Sequence, residues 1–132
     1  MASSPTFTSV PRIGVGSVST ANTARDGSGT IVDILTGATA GTKINEIVVK
    51  ATADPADSIV TLFIYDGSVY RIFDEFDLGD PAAASTTVRS FREPRFYDNL
   101  VLPSASFKLA AAITVAPTSG AVLVLAFAGD MT

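Results

Sequence analysis

The chain has 132 residues, of which 47% are hydrophobic and 17% are charged, and its formal net charge is −4. This length predicts one domain that buries roughly two thirds of the surface its unfolded form exposes, and the composition is far from that of disordered proteins. Because cysteine and histidine are absent, disulfides, Cys/His zinc sites and Ser-His-Asp triads are excluded, and the acidic balance argues against nucleic-acid binding.

Residues 1–29 are predicted to form an extended N-terminal arm that ends in a tight turn. The arm opens with small and polar residues and lacks the basic stretch followed by an apolar stretch that marks a secretion signal. Ile13 and Val15 permit a short edge strand, but Gly14 and Gly16 weaken it. Residues 1 to about 18 are therefore expected to order against a neighbouring subunit or a larger assembly, while residues 30–128 fold without them.

Residues 30–132 are predicted to form a single antiparallel β-sandwich domain. Apolar and polar side chains alternate with a period of two, and Gly, Pro and Asp separate the apolar runs. The predicted strands span residues 31–35, 43–53, 58–65, 69–78, 86–92, 95–102, 107–115 and 121–128. This all-β pattern favours a sandwich of the jelly-roll or Ig-like kind, with a closed barrel as the alternative.

The last three predicted strands differ in their expected positions in the sheets. Because prolines flank residues 95–102, this segment is predicted to be an edge strand or an irregular crossing segment. The nearly continuous apolar character of residues 107–115 and 121–128 predicts central strands, buried on both faces or with one face against a neighbouring subunit. Pro117 and Gly120 interrupt the apolar stretch between them, so no membrane span is expected.

Glycine-containing turns give two local predictions. The Gly-rich residues 26–29 predict a turn and not a phosphate cradle, because neither a lysine nor a helix follows to complete one. Gly67 can supply the positive φ of a hairpin between the strands at 58–65 and 69–78. Strict alternation in the second of these strands would place Ile72 and Asp74 on the same face.

The sequence contains one acidic cluster, formed by Asp74, Glu75, Asp77 and Asp80. Paired carboxylates can hold Ca²⁺ or act in glycoside hydrolysis. Alternation separates Asp74 from Glu75 and Asp77, however, and the spacing matches no calcium motif. We interpret the cluster as a solvated strand rim, with bound calcium as the alternative, and we predict no catalytic residue, no metal and no cofactor.

A protein interface is the candidate functional site in the sequence, although ordinary surface and core packing is the leading interpretation for the second of the two residue groups below. The apolar residues of the arm are too sparse to build a core, and arginines and aromatics, which are enriched at interfaces, lie together near residue 95. The alternatives for this second group are ordinary packing or ligand stacking. The predicted interface residues are Phe7, Val10, Ile13, Val15, Arg92, Arg95, Phe96 and Tyr97.

Three segments resemble a family of small virion proteins encoded by tailed phages. They are residues 19–30 (STANTARDGSGT), 43–52 (KINEIVVKAT) and 62–67 (LFIYDG). The resemblance extends from Ser19 to Asp66, and the remainder is similar only in pattern. It implies a β-sandwich protein displayed on the virion, with a capsid decoration or cement role favoured over a tail or fibre role.

The resemblance also implies the partners and the location. The expected partner is the major capsid protein or another virion protein. Separately from the resemblance, the apolar strands at residues 107–115 and 121–128 predict association with further copies of the chain, with a homotrimer favoured. Neither nucleic acid nor a membrane is expected as a partner. The protein would be made in the host cytoplasm and act in the virion, without enzymatic activity. The competing interpretation is a tail-associated or fibre-associated module, structural or carbohydrate-binding, although the lack of tryptophan disfavours a sugar platform.

Overall fold

A computed structural model describes residues 8–131, which form two packed β-sheets. The strands are β1 (Thr8–Val18), β2 (Val32–Thr36), β3 (Thr42–Ala51), β4 (Ser58–Tyr65), β5 (Tyr70–Gly79), β6 (Arg92–Leu102), β7 (Lys108–Ile113) and β8 (Val122–Met131). No helix in this part of the chain is long and apolar enough to cross a membrane.

The strand order identifies the sandwich as a jelly roll. Sheet A has the order β1-β8-β3-β6 and sheet B the order β2-β7-β4-β5, and all neighbouring strands are antiparallel. The chain crosses between the sheets at every connection except the β4–β5 hairpin, which gives the two Greek keys of this fold. The predicted all-β sandwich is therefore confirmed, in its jelly-roll form and not as an Ig-like sandwich or closed barrel.

The core lies between the two sheets and follows the predicted alternation. Ile47 and Val49 of β3 are fully buried and pack in the same cluster as Val60 and Leu62 of β4. β7 and β8 are central strands of sheets B and A, and β6 is an edge strand, all as predicted. Full burial of one such side chain contributes about 1.5 to 3 kcal/mol before ordering costs, so packing between the sheets is the main source of stability.

The predicted strand at residues 86–92 does not form. Residues 80–91 make an irregular connection, and β6 starts only at Arg92. The Ser85 hydroxyl accepts hydrogen bonds from the backbone N–H groups of Thr87 and Val88, at 3.2 and 3.1 Å. Such local side-chain bonds offer the backbone an alternative to a strand ladder, and they close a turn here.

A β-bulge at Phe73 corrects the predicted faces of β5. Leu62 of β4 pairs with Asp74, whereas the next residue, Phe63, pairs with Ile72, so that Phe73 is an extra residue. One extra residue shifts the alternation of side chains by one position. Residues that strict alternation would place on the same face therefore lie on opposite faces when the bulge stands between them. Ile72 is thus on the outer face of sheet B, while Asp74 points between the sheets.

The structure also corrects the division of the chain at residue 29. β1 is an edge strand of sheet A that pairs with β8 from Thr8 to Val18, so this part of the predicted arm belongs to the sandwich. Gly14 and Gly16 fit the strand for a packing reason, because an added Cβ on Gly14 would lie 2.5 Å from the carbonyl oxygen of Ile34 in β2. Close approach of the two edge strands requires glycine there.

We therefore expect Gly14→Ala to destabilise the fold by about 1 to 2 kcal/mol, because overpacking in a well-packed region has costs of this size. Thermal unfolding of the purified variant measures the effect. Ser17→Ala, at an exposed position of the same strand, is the control and should melt like the unaltered protein. An unchanged melting temperature for Gly14→Ala would show that β1 and β2 can move apart without a loss of stability.

Candidate interaction surface

The outer face of sheet B is crossed by the chain itself. Residues 19–31, which we call the crossing segment, connect β1 to β2. The backbone N–H of Asn22 donates to the carbonyl oxygen of Ile113 at 2.8 Å. Gly27 approaches β5 so closely that an added Cβ would collide with the carbonyl oxygen of Tyr70. The segment therefore runs from the end of β7 to the edge strand β5 before it returns to β2.

The crossing segment helps to bury apolar side chains on this outer face. Phe63, Ala110 and Ala112 point away from the main core and yet are at most 1% exposed, and Ile31 from the end of the crossing segment packs against them. The second apolar face of β7 is therefore covered within the chain, and it is not available to a neighbouring subunit.

Asn22 holds the crossing segment in shape. Its side-chain amide donates to the carbonyl oxygens of Ser28 and Thr30, each at 2.9 Å, and its Oδ1 accepts from the N–H of Ala24 at 3.0 Å. The turn predicted at residues 26–29 lies inside this loop, with Asp26 accepting hydrogen bonds from the N–H and hydroxyl of Ser28. These bonds fix the segment that carries the first part of the family resemblance.

The outer face of sheet A carries exposed apolar side chains. Ile13 pairs with Phe127 and Val15 with Leu125. The first of these rows continues through Glu46 of β3 to Phe96 of β6, and the second continues through Val48 to Pro94. Ile13, Val15 and Phe96 are 63%, 54% and 75% exposed. We call this surface the apolar stripe, and it comprises Ile13, Val15, Val48, Pro94, Phe96, Leu125 and Phe127, of which Val48 is only 4% exposed. Glu46, between Phe127 and Phe96, is the charged residue within it.

Three of the predicted interface residues lie in the apolar stripe, namely Ile13, Val15 and Phe96. Arg92 lies on the same outer face, where it pairs with Lys50. Val10 is 49% exposed near the start of β1, with the orientation opposite to that of Ile13. Phe7 lies outside the described residues.

Arg95 and Tyr97 lie on the other side of β6, where they connect the two sheets. Arg95 Nη1 donates to Asp74 Oδ1 and the Tyr97 hydroxyl donates to Asp74 Oδ2, both at 2.7 Å. The Arg95 guanidinium lies over the Phe76 ring, 4.1 Å from its centroid. We call these four residues the Asp74 network, and it joins the edge strands β5 and β6 of opposite sheets.

Electrostatics within the Asp74 network favour the charged carboxylate. Burial alone would raise the pKa of Asp74, but the hydrogen bonds from Tyr97 and Arg95 outweigh it and hold the pKa below its ordinary value. Burial and the hydrogen bond to Asp74 raise the pKa of the Tyr97 phenol, so it stays protonated as a donor. The network is a fixed structural contact without a group poised for proton transfer at neutral pH.

The members of the acidic cluster have separate surroundings. Asp74 points between the sheets, whereas Glu75 forms an ion pair with Arg25 of the crossing segment. Asp77 Oδ1 accepts a hydrogen bond from the N–H of Gly79 at 2.9 Å, and Asp80 is exposed. The four carboxylates therefore do not converge on one point.

A second feature of sheet A's outer side is a groove beside the apolar stripe. Its volume is about 730 Å³, and its charged lining residues are Lys50, Arg89 and Arg92. The remaining lining residues are Ala84, Ser85, Val88 and Ser90. We call it the basic groove. The sequence singled out Arg92 but not Lys50, because only the pairing of β3 with β6 brings the two together.

The tyrosines are engaged in contacts within the chain. The rings of Tyr65 and Tyr70 lie 4.7 Å apart, and the Tyr70 hydroxyl donates to Asp33 at 2.9 Å. Burial, followed by this hydrogen bond, raises the pKa of Tyr70 to about 12. Since Tyr97 belongs to the Asp74 network, these rings are held by intramolecular contacts.

Comparisons with known proteins connect the chain to viral capsid structures through its fold. No protein-family model matches the chain, and no curated protein matches its sequence. A chain in the acidic stable capsid structure of Helicobacter pylori bacteriophage KHP30 superposes with a TM-score of 0.57 at 11% identity, covering 94% of this chain and 90% of that one.

Two further solved structures superpose with lower scores. A pentameric capsid protein from metagenomic phage sequences has a TM-score of 0.39 at 17% identity, over 89% of this chain and 60% of that one. A chain of infectious bursal disease virus, Gx strain, has a TM-score of 0.35 at 13% identity, over 92% and 32%. The likeness to the KHP30 chain thus places this protein's jelly roll among the folds that are found in capsid structures.

Proposed function

We propose that the chain is a non-enzymatic virion structural protein, of the capsid decoration or cement type, that binds and stabilises a phage head. The observation that carries the proposal is the difference between the two outer sheet faces. Sheet B is crossed by residues 19–31 of the chain itself, whereas sheet A presents the apolar stripe to solvent. Contiguous exposed apolar surface on a folded domain marks a site of interaction.

The fold likeness supports a capsid location. Because the match with the KHP30 chain covers nearly all of both chains, that chain consists of little more than one jelly roll. A single domain of this size can therefore take part in a capsid structure without further domains. A decoration protein needs one face that binds the shell and a stable fold behind it, and sheets A and B supply these two parts.

A carbohydrate-binding or fibre-associated module is the alternative, and it has less support. Sugar-binding platforms use exposed aromatic rings, but Tyr65, Tyr70 and Tyr97 are engaged in contacts within the chain. Phe96 is the most exposed large hydrophobic residue in the part of the chain whose side chains the structure describes, at 75%. It lies opposite Glu46 and next to the pair formed by Val48 and Pro94, and an exposed aromatic ring beside apolar side chains with a charged residue nearby is typical of a protein interface.

Assembly as a homo-oligomer, with a trimer favoured, stays a prediction. This prediction rests on the nearly continuous apolar character of residues 107–115 and 121–128. The crossing segment covers the second face of β7, so the apolar surface that remains for contact is that of β8, with Leu125 and Phe127 partly exposed. Any contact between copies is therefore expected to involve sheet A.

The double variant Ile13→Asp/Phe96→Asp tests the proposal. Each change puts a charge on the apolar stripe at a position that is already exposed. Because Phe96→Asp lies opposite Glu46, we expect a small loss of stability with the fold retained. Binding to undecorated phage heads, measured by co-sedimentation, should weaken at least 100-fold, roughly 2.7 kcal/mol. Val69→Asp is the matched control, because Val69 is 43% exposed at the β4–β5 hairpin, away from sheet A.

Two results would contradict the proposal. If the double variant occupies heads as well as the unaltered chain does, the apolar stripe is not the attachment surface. If the unaltered chain co-sediments with isolated tails and not with heads, the decoration role is replaced by the tail-associated alternative.

A further inference from the structure

We infer that the basic groove is a carboxylate-binding subsite, which receives acidic side chains of the protein that docks on the apolar stripe. The identification of that protein as a virion component rests on the proposed function. The ability of the groove to bind carboxylates does not, since it follows from the charges and geometry of the groove itself.

The cations of the groove have no carboxylate partner within residues 8–131. The chain has nine lysines and arginines, and five of them form ion pairs, namely Arg12, Arg25, Arg71, Arg95 and Lys108. Lys50, Arg89 and Arg92 are three of the other four, and all three line the groove. In a chain of net charge −4, this concentration of uncompensated positive charge would attract an anionic group.

The groove is held in shape by hydrogen bonds of the chain. Lys50 Nζ donates to the hydroxyl of Ser90 and, at 3.3 Å, to its carbonyl oxygen. The N–H of Ala51 donates to the carbonyl oxygen of Phe91 at 2.9 Å, which ties the groove wall to the end of β3. Because the walls are already ordered, binding an anion there costs little conformational entropy.

The position of the groove connects it to the apolar stripe. Lys50 and Arg92 form a directly opposite pair on β3 and β6, and the next pair on the same face is Val48 with Pro94, which belongs to the stripe. Two residues along a strand span about 7 Å. A partner that covers the stripe would therefore bring its neighbouring side chains over the groove, where Arg89 and Arg92 could bind carboxylates through paired hydrogen bonds.

The chemistry favours a protein carboxylate over nucleic acid. A nucleic-acid backbone presents repeating phosphates and is bound by extended tracks of basic side chains. Here three cations occupy one end of a face whose next row across the sheet is apolar, formed by Val15, Leu125, Val48 and Pro94. The combination suits a partner with apolar side chains beside one or two carboxylates.

A labelled peptide of ten glutamates is the probe for this inference, with binding to the full chain measured by fluorescence anisotropy at low salt. We expect weak, salt-sensitive binding, which Arg89→Gln/Arg92→Gln reduces at least tenfold. Lys43→Gln is the control for the loss of a positive charge elsewhere, because Lys43 lies on the same sheet but outside the groove. It should change the affinity less than twofold. Both variants should melt like the unaltered protein.

Three results would overturn the inference. They are equal peptide binding by the groove variant, tighter binding of an oligothymidylate of equal charge, and groove-dependent self-association without peptide in sedimentation. Each of these results is distinguishable from a failure of the proposed function. If Ile13→Asp/Phe96→Asp leaves head binding intact while the groove still binds the peptide, only the proposed function fails.

Discussion

Deletion of residues 1–18 is expected to abolish cooperative folding of the isolated chain. The deletion removes β1, which pairs with β8 along its whole length, and it removes Val18, which is only 1% exposed in the core. β8 would still pair with β3 but would become a strongly apolar edge strand with one unpaired edge, and such edges template aggregation. The sequence alone favoured the opposite result, an arm that could be removed without loss of stability, because glycines and prolines interrupt its sparse apolar residues.

Deletion of residues 1–7 alone is the control, since it leaves every pair between β1 and β8 in place. Circular dichroism and thermal unfolding of the two truncated chains give the comparison. The shorter deletion should melt close to the full chain, and the longer one should be unfolded or aggregated. A longer deletion that melts within about 2 °C of the full chain would show that the sandwich is complete without β1.

Strand alternation and turn chemistry made much of the fold predictable. The hairpin at residues 58–65 and 69–78 was recognisable because Gly67, with φ of 95°, lies between two apolar runs. Its strand β4 has the predicted limits. The bulge at Phe73 could not be predicted in this way, because a single extra residue leaves local composition unchanged while it exchanges the faces of all residues beyond it.

The candidate surface was only partly predictable, for a topological reason. Ile13 and Phe96 are 83 positions apart in the sequence, and they share a face only because sheet A has the order β1-β8-β3-β6. Residue patterns select exposed apolar and aromatic residues, but they do not fix which strands become neighbours. The same limit explains why Arg95 and Tyr97 were grouped with Phe96, although adjacent residues of a strand point to opposite faces.

The Asp74 network leads to a stability prediction with a defined pH dependence. Asp74→Asn keeps the shape of the side chain but removes the charge that Arg95 and Tyr97 contact at 2.7 Å. We expect a loss of about 1.5 to 3 kcal/mol at pH 7, as for hydrogen bonds to charged groups. The lower part of this range is favoured, because the Asp74 and Arg95 side chains are 26% and 35% exposed.

The sign of the pH effect follows from the lowered pKa of Asp74. A carboxyl whose folded-state pKa lies below its ordinary value of 3.8 stabilises the fold above that value. The stabilisation is lost as the pH falls from about 4 through the folded-state pKa, because protonation of Asp74 in the folded protein removes the carboxylate charge. The difference in unfolding free energy between the unaltered protein and Asp74→Asn should therefore be constant from pH 7 to about 5 and shrink below pH 4.

Urea unfolding from pH 7 to pH 2.5 measures this difference, with Asp80→Asn as the exposed control. A difference that stays constant down to pH 2.5 would mean that the carboxylate charge of Asp74 contributes nothing to joining β5 and β6.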